Sequence, residues 1–283
     1  MLVKFRGSEG VIVDQPADAQ SETKHYRALF ISDVHLGTKA CQAEFLLDFL
    51  KHNSADTIYL VGDIVDFWRI KSSPYWPQSH NDVIQKLLRK VRKGARIVYI
   101  PGNHDEDLRA YCGQHFGGIE FKLNDIHTSA DGRKFLIMHG DEFDVVIRYV
   151  KWLAFLGDWA YVIALGLNTM FNKVRRRFGL PYWSLSAYLK YKVKKAVNFI
   201  GDFESTLASE ARRHNAEGVI CGHIHHAGMR DINGVLYINT GDWVESGTAA
   251  GETHDGQFEI IRWIEVMEAA RSSNTVRAVE AAA

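Results

Sequence analysis

Five short apolar runs in this chain each end in a cluster of histidines, carboxylates and glycines, and this pattern constrains the fold more than any other feature. The clusters are Ser32-Asp33-Val34-His35, Gly62-Asp63-Ile64-Val65-Asp66, Gly102-Asn103-His104-Asp105, His139-Gly140-Asp141 and Gly222-His223-Ile224-His225-His226. The runs before them, among them residues 26–32, 56–63, 96–100, 134–138 and 217–221, read as strands. Apolar spacing in residues 41–53 (Phe45, Leu46, Phe49, Leu50) and 78–93 (Val83, Ile84, Leu87, Leu88, Val91) reads as helix. Further strands are expected at 126–129, before the turn Asp131-Gly132-Arg133, and at 234–243, with 257–265 closing the sheet. Strands alternating with helices imply a mixed sheet covered by helices. In such folds ligands gather at the carboxyl ends of strands, so the five clusters are expected to converge in space.

Length and composition set the frame. The 283 residues, 46% hydrophobic, can build one sizeable domain or at most two. Lys+Arg and Asp+Glu are both 34, so global charge gives no case for nucleic-acid binding. The three cysteines, Cys41, Cys112 and Cys221, have no paired spacing and suit a reducing compartment. The amino terminus lacks the apolar core of a signal peptide, so the cytoplasm is the expected location. Residues 152–171 approach spanning length, but Asp158 lies inside them and Gly157, Gly166 and Asn168 interrupt them. A buried or membrane-facing helix is expected there rather than a spanning one.

The clusters offer Asp33, His35, Asp63, Asn103, His139, His223 and His225, a set of oxygen and imidazole donors without a thiolate. Such donors suit Mn, Fe, Zn, Co or Ni. Seven are too many for one tetrahedral ion and fit two ions of higher coordination. Two ions roughly 3.5–4 Å apart activate a water and neutralise a phosphoryl group in an in-line displacement. In an extended backbone Asp33 and His35 share a face, as do His223 and His225, with His226 turned elsewhere. The glycines before Asp63, Asn103 and His223 are expected to let the backbone turn beside the ions. Individually, a strand-end histidine or aspartate is more often a turn residue or a helix cap. The ordered set is what argues for chemistry.

In that order the clusters resemble the calcineurin-like metallophosphoesterase superfamily, over roughly residues 26–245. The resemblance implies an α/β fold, a metallophosphoesterase-type β-sandwich of mixed sheets flanked by helices, with a helical insertion acting as a lid. It implies two divalent metal ions, manganese first, with iron or zinc as alternatives. Asp33, His35, Asp63 and His225 would hold one ion, and Asp63, Asn103, His139 and His223 the other. His104, oriented by Asp105, would stabilise the transition state or protonate the leaving oxygen. The implied layout is an extension over 1–24, the catalytic domain over 25–265 with its insertion at 144–205, and a tail over 266–283.

Two features bear on substrate. "GDIVDFW" resembles the UDP-2,3-diacylglucosamine pyrophosphatases of lipid A synthesis, placing Asp66 and Trp68 as candidate substrate contacts; the alternative is a capping Asp66 and a packed Trp68. The insertion mixes apolar and aromatic residues with the basic clusters Arg175, Arg176, Arg177 and Lys194, Lys195. A lid with an apolar groove and basic rim would take a nucleotide-linked lipid at the inner membrane face. The alternative is a hairpin packed on the sheet or between two copies of the chain. The chain departs from that subfamily at His104, where arginine is usual, and after "HGD". A soluble phosphodiesterase or phosphatase is therefore the second enzymatic reading. A non-catalytic scaffold is the remote third, since all seven donors are kept.

Overall fold

The computed structural model describes residues 23–143, 201 and 203–269. The expected mixed-sheet sandwich is present. Strands β1 (Lys24–Ile31), β2 (Asn53–Val61) and β3 (Arg96–Ile100) run parallel at the centre of a seven-stranded sheet. Short strands β4 (His115–Phe116) and β5 (Ile119–Phe121) extend it on one side. Strands β11 (Thr248–Glu252) and β12 (Phe258–Arg262) extend it on the other. The second sheet has the order β6-β7-β8-β10-β9, from β6 (Asp125–Thr128), β7 (Lys134–Ile137), β8 (Gly218–Cys221), β9 (Gly228–Ile232) and β10 (Val235–Asn239).

Alternation along each strand divides the core into layers. Phe30, Tyr59, Val61, Val98 and Ile100 face inward and meet Phe135, Ile137, Ile220 and Ile238 of the other sheet. Their neighbours Leu29, Ile31, Ile58, Leu60 and Ile97 face outward, onto helices α1 (Ala43–His52) and α3 (Gln78–Arg92). Those helices contribute Leu46, Phe49, Leu50, Val83 and Leu87 at helical spacing. On the second sheet Leu136, Val219, Cys221 and Tyr237 pack on helix α4 (203–213) through Phe203, Leu207 and Ala211. Burial on both faces explains why the strands read as continuous apolar runs. Each large side chain so buried contributes roughly 1.5–3 kcal/mol.

Four strands were not expected from the sequence: β4 and β5, which form a hairpin, together with β9 and β11. β11 reads Thr-Ala-Ala-Gly-Glu, a composition with little strand preference, yet all five residues are buried. It forms because β1 needs a partner on its free edge, pairing Ala28 with Glu252 and Phe30 with Ala250. Glu252 lies at the sandwich margin, fully buried, accepting from Arg27 Nη1 (2.9 Å), Ala130 N (2.7 Å) and the His127 ring (2.6 Å). Burial alone would raise its carboxyl; the His127 and Ala130 hydrogen bonds and Arg27 outweigh burial and hold it below its ordinary 4.5. A depressed folded value gives stability that is complete above the unfolded value and lost as pH falls through the folded one. Glu252→Gln is expected to cost about 1–3 kcal/mol at neutral pH, with the gap closing on acidification below 4.5. Denaturant melts from pH 7 to 3 measure this; a gap constant with pH would remove the charge from the account.

Of the expected insertion, residues 144–200 and 202 lie outside the described residues, as do 1–22 and 270–283. The insertion's last residues open α4, and the expected tail begins within helix α5 (263–269). The apolar stretch 152–171 also lies outside. Among the described residues no helix is long and apolar enough to cross a membrane.

Candidate metal centre

The loops after β1 and β2 are stitched by backbone bonds. Asp33 N donates to Gly62 O (3.0 Å), His35 N to Asp63 O (2.9 Å), Leu36 N to Ile64 O (2.9 Å) and Asp66 N back to Leu36 O (2.8 Å). Asp33, His35, Asp63, His223 and His225 all have left-handed φ, between 50° and 72°. The only other described non-glycine residues there are Asn215 and Asn233, a residue type that tolerates this region. The expectation that Asp33/His35 and His223/His225 share faces of extended backbone is therefore corrected. They converge because each backbone turns left-handed just past its strand. Such conformations cost about 1–3 kcal/mol each and persist where surrounding structure enforces them.

Two trios of donor atoms form, each with atoms within 4.8 Å of one another: Asp33–His35–His225 and Asp63–His139–His223. A third, His35–Asp63–His104, links them through Asp63. Asp63 Oδ2 lies 3.4 Å from His139 Nε2, 3.9 Å from His35 Nε2 and 4.0 Å from His104 Nε2. Asp33 Oδ1 lies 3.0 Å from His225 Nε2, while its Oδ2 accepts from Ser32 Oγ (2.6 Å) and His223 N (2.9 Å). Asp63 Oδ1 accepts from His104 N (2.8 Å). Among the described residues, Asp63 Oδ2, Asn103 Oδ1, His35 Nε2 and His139 Nε2 are buried and find no hydrogen-bond partner. Buried polar atoms are ordinarily satisfied, so a convergent set that is not suits divalent cations. All seven expected donors lie on the loops that meet here, and His226 is exposed outside the trios.

The imidazoles are held in one orientation. His139 Nδ1 donates to Val61 O (2.8 Å), which leaves Nε2 to face Asp63. Burial alone would lower the His139 imidazole; the Asp63 carboxylate outweighs it and raises the ring to about 10. Burial likewise opposes ionisation of Asp33, but the His225 ring holds its carboxyl well below the ordinary range. Binding of a cation here releases protons, because it competes for the same lone pairs.

Gly62 has φ +80°, and a Cβ there would fall on the His139 ring. Gly102 has no left-handed φ; a Cβ there would meet Asp63 Oδ1 and the His139 ring. The expected role in turning the chain applies to Gly62, whereas Gly102 is required for space.

Two expected roles are corrected. Asp105 does not orient His104. Its buried carboxylate accepts from Gly102 N (2.6 Å), Ile64 N (2.8 Å) and Tyr99 Oη (2.5 Å), with Asp63 N and Val65 N at 3.3 Å. It binds the second and third loops together, and burial, helped by the Asp63 charge, raises its carboxyl. The carboxylate at His104 is Asp66, whose Oδ2 lies 3.0 Å from His104 Nδ1 and 3.2 Å from His35 Nδ1. Asp66 is 2% exposed. Its Oδ1 also caps helix α2 (Phe67–Ser72) by accepting from Arg69 N. It braces two imidazoles and is closed to a substrate. Trp68 is 46% exposed, and its ring lies 4.3 Å from that of His104 at the mouth of the centre. Arg175, Arg176, Arg177, Lys194 and Lys195 lie outside the described residues. Ser32 and Tyr99, both buried against ligand-loop carboxylates, were missed in the sequence; a polar residue inside an apolar strand end was their only signal.

The chain resembles known proteins in sequence. The calcineurin-like phosphoesterase family profile matches residues 26–227. A UDP-2,3-diacylglucosamine hydrolase of Aliivibrio fischeri is 30% identical over 239 residues, covering 78% of this chain and 92% of that one. The protein of the same name from Neisseria meningitidis serogroup A is 27% identical, covering 76% and 89%. A solved archaeal phosphodiesterase aligns with a TM-score of 0.37 at 15% identity, over 83% of this chain and 98% of that one. With the family profile spanning all five donor clusters, the chain belongs to the calcineurin-like phosphoesterase family and is a metal-dependent phosphoester hydrolase.

Proposed function

We propose that this chain hydrolyses the phosphoanhydride of a nucleotide-linked acylated sugar of the UDP-2,3-diacylglucosamine type, releasing UMP and a lipid monophosphate. The observation that carries the reading is the pair of donor trios joined at Asp63, with His104 and the exposed Trp68 beside them. The names of the 25–30% identical relatives supply the substrate class.

In this reading Asp33, His35, Asp63 and His225 would hold one ion, and Asp63, Asn103, His139 and His223 the second, with manganese the expected metal. Two ions so placed lower the pKa of a water and neutralise phosphoryl oxygens. The chain's own residues do the rest. Asp63 fixes the spacing of the two sets of donors. His104, braced through Nδ1 by Asp66, points Nε2 into the centre and gives a proton or hydrogen bond to the oxygen that leaves phosphorus. Trp68 holds that ring from its open side and offers the substrate an aromatic face. Water oxygen bonds to phosphorus as the bridging P–O bond breaks. The insertion, with its basic clusters, would meet the lipid at the inner membrane face.

The test is UMP release from UDP-2,3-diacylglucosamine in detergent by manganese-loaded protein, beside a generic aryl phosphodiester. Efficient UMP release is expected. Cleavage of the aryl ester alone would overturn the lipid substrate and favour a soluble phosphodiester, the reading that a histidine at position 104 supports.

A further inference from the structure

A second cavity, of about 500 Å³, opens at the opposite end of the larger sheet. It is bordered by Thr23 and His25 at the start of β1, Ser54 to Asp56 at the start of β2, and Ala95 just before β3. The candidate metal donors stand at the other ends of these strands. At about 3.3 Å per residue the two sites are roughly 25–30 Å apart.

The cavity gathers Lys51 from the end of α1 and Lys86, Arg89, Lys90 and Lys93 from the end of α3. Among the described residues none of these five forms an ion pair with a carboxylate. The one acid on the lining, Asp56, is taken by His25 at 2.9 Å. Lys90 is buried and donates to Asn53 O at 2.7 Å. Burial, and then repulsion from Lys86 and Lys93, lowers its ammonium to about 8. Burial and the charges of Arg89, Lys93 and Lys51 lower Lys86 in the same way. Helix carboxyl ends favour cations by about 0.3–1 kcal/mol each. That accounts for one cation per helix and not for four lysines and an arginine that repel one another around one hollow. The chain as a whole is neutral, so this concentration is local. His25, Asp56 and His254 form an exposed trio beside it, but neighbouring cations oppose a metal ion there.

We propose that this cavity binds a soluble polyanion of the polyphosphate class, inorganic or carried on a nucleoside. Its volume is that of an ordinary small-ligand site. A bilayer is not the partner, because a molecule that turns its metal centre toward a membrane turns this cavity away from it. The exclusion of a bilayer rests on the lipid reading of the metal centre; polyanion binding itself does not depend on which ester that centre cleaves.

The test uses the full, manganese-loaded chain and inorganic trimetaphosphate, a trianion that chelates manganese weakly, followed by calorimetry and thermal melting. Saturable binding that weakens with salt is expected. Combining Lys86→Gln, Arg89→Gln and Lys93→Gln should weaken it about tenfold or more, with phosphoesterase activity kept and the unliganded melting temperature unchanged or raised. His139→Ala should bind as the parent does. If the triple variant folds poorly, Lys51→Gln with Lys93→Gln, both exposed, replaces it. Undiminished binding by either charge-removal variant, or loss of binding in His139→Ala, would overturn the proposal. So would sedimentation with anionic phospholipid vesicles that these substitutions abolish.

Discussion

Asp63→Asn is expected to lower kcat by about a thousandfold or more, near 4 kcal/mol of transition-state stabilisation, with the fold retained. Among the described residues Asp63 is the one carboxylate that reaches both donor trios, and its Oδ2 faces three imidazoles within 4.0 Å. Asparagine keeps an acceptor for the His104 amide but removes the charge the two ions would share. The variant should retain less than two equivalents of manganese after dialysis. Metal analysis and steady-state kinetics on one preparation decide the matter. Two retained ions and kcat within threefold of the parent would refute the shared-carboxylate account.

Asp105→Ala is expected to fail differently. It should cost about 3 kcal/mol or more of stability, and lose metal affinity as a consequence. The carboxylate gathers Gly102 N, Ile64 N and Tyr99 Oη in a buried site, and alanine leaves all three without it. Those bonds hold Asp63 and Asn103 on adjacent loops. Asp66→Asn supplies the contrast. Asp66 braces the His35 and His104 rings, so asparagine there should change kcat and its pH profile while the melting temperature shifts little. Paired melts and pH–rate profiles separate the two aspartates. A stable Asp105→Ala with an altered pH profile would restore the role of His104 partner to Asp105.

The two aspartates also mark where sequence reading ends. Asp105 adjoins His104 in the chain, and adjacency made it the natural partner. The backbone takes its carboxylate the other way, toward the amides of Gly102 and Ile64. Asp66, far from His104 in sequence, reaches it because Phe67 N is held on His104 O (3.1 Å) and Asp66 N on Leu36 O. β11 has the same lesson: apart from Thr248, the residues of Thr-Ala-Ala-Gly-Glu do not favour a strand, and the free edge of β1 makes it one.

What the sequence by itself determined was the apolar strands that lead into the five clusters, the donors at their carboxyl ends and the family those ordered motifs belong to. These depend on hydrophobic pattern and donor chemistry, which each residue carries wherever it sits. The tertiary structure alone decided which carboxylate braces which imidazole and that the ligand residues adopt left-handed backbone. It also brought five cations from two helices around one cavity. Those outcomes depend on distances between segments remote in the chain, set by the register of β1, β2 and β3 and by the hydrogen bonds that join their loops.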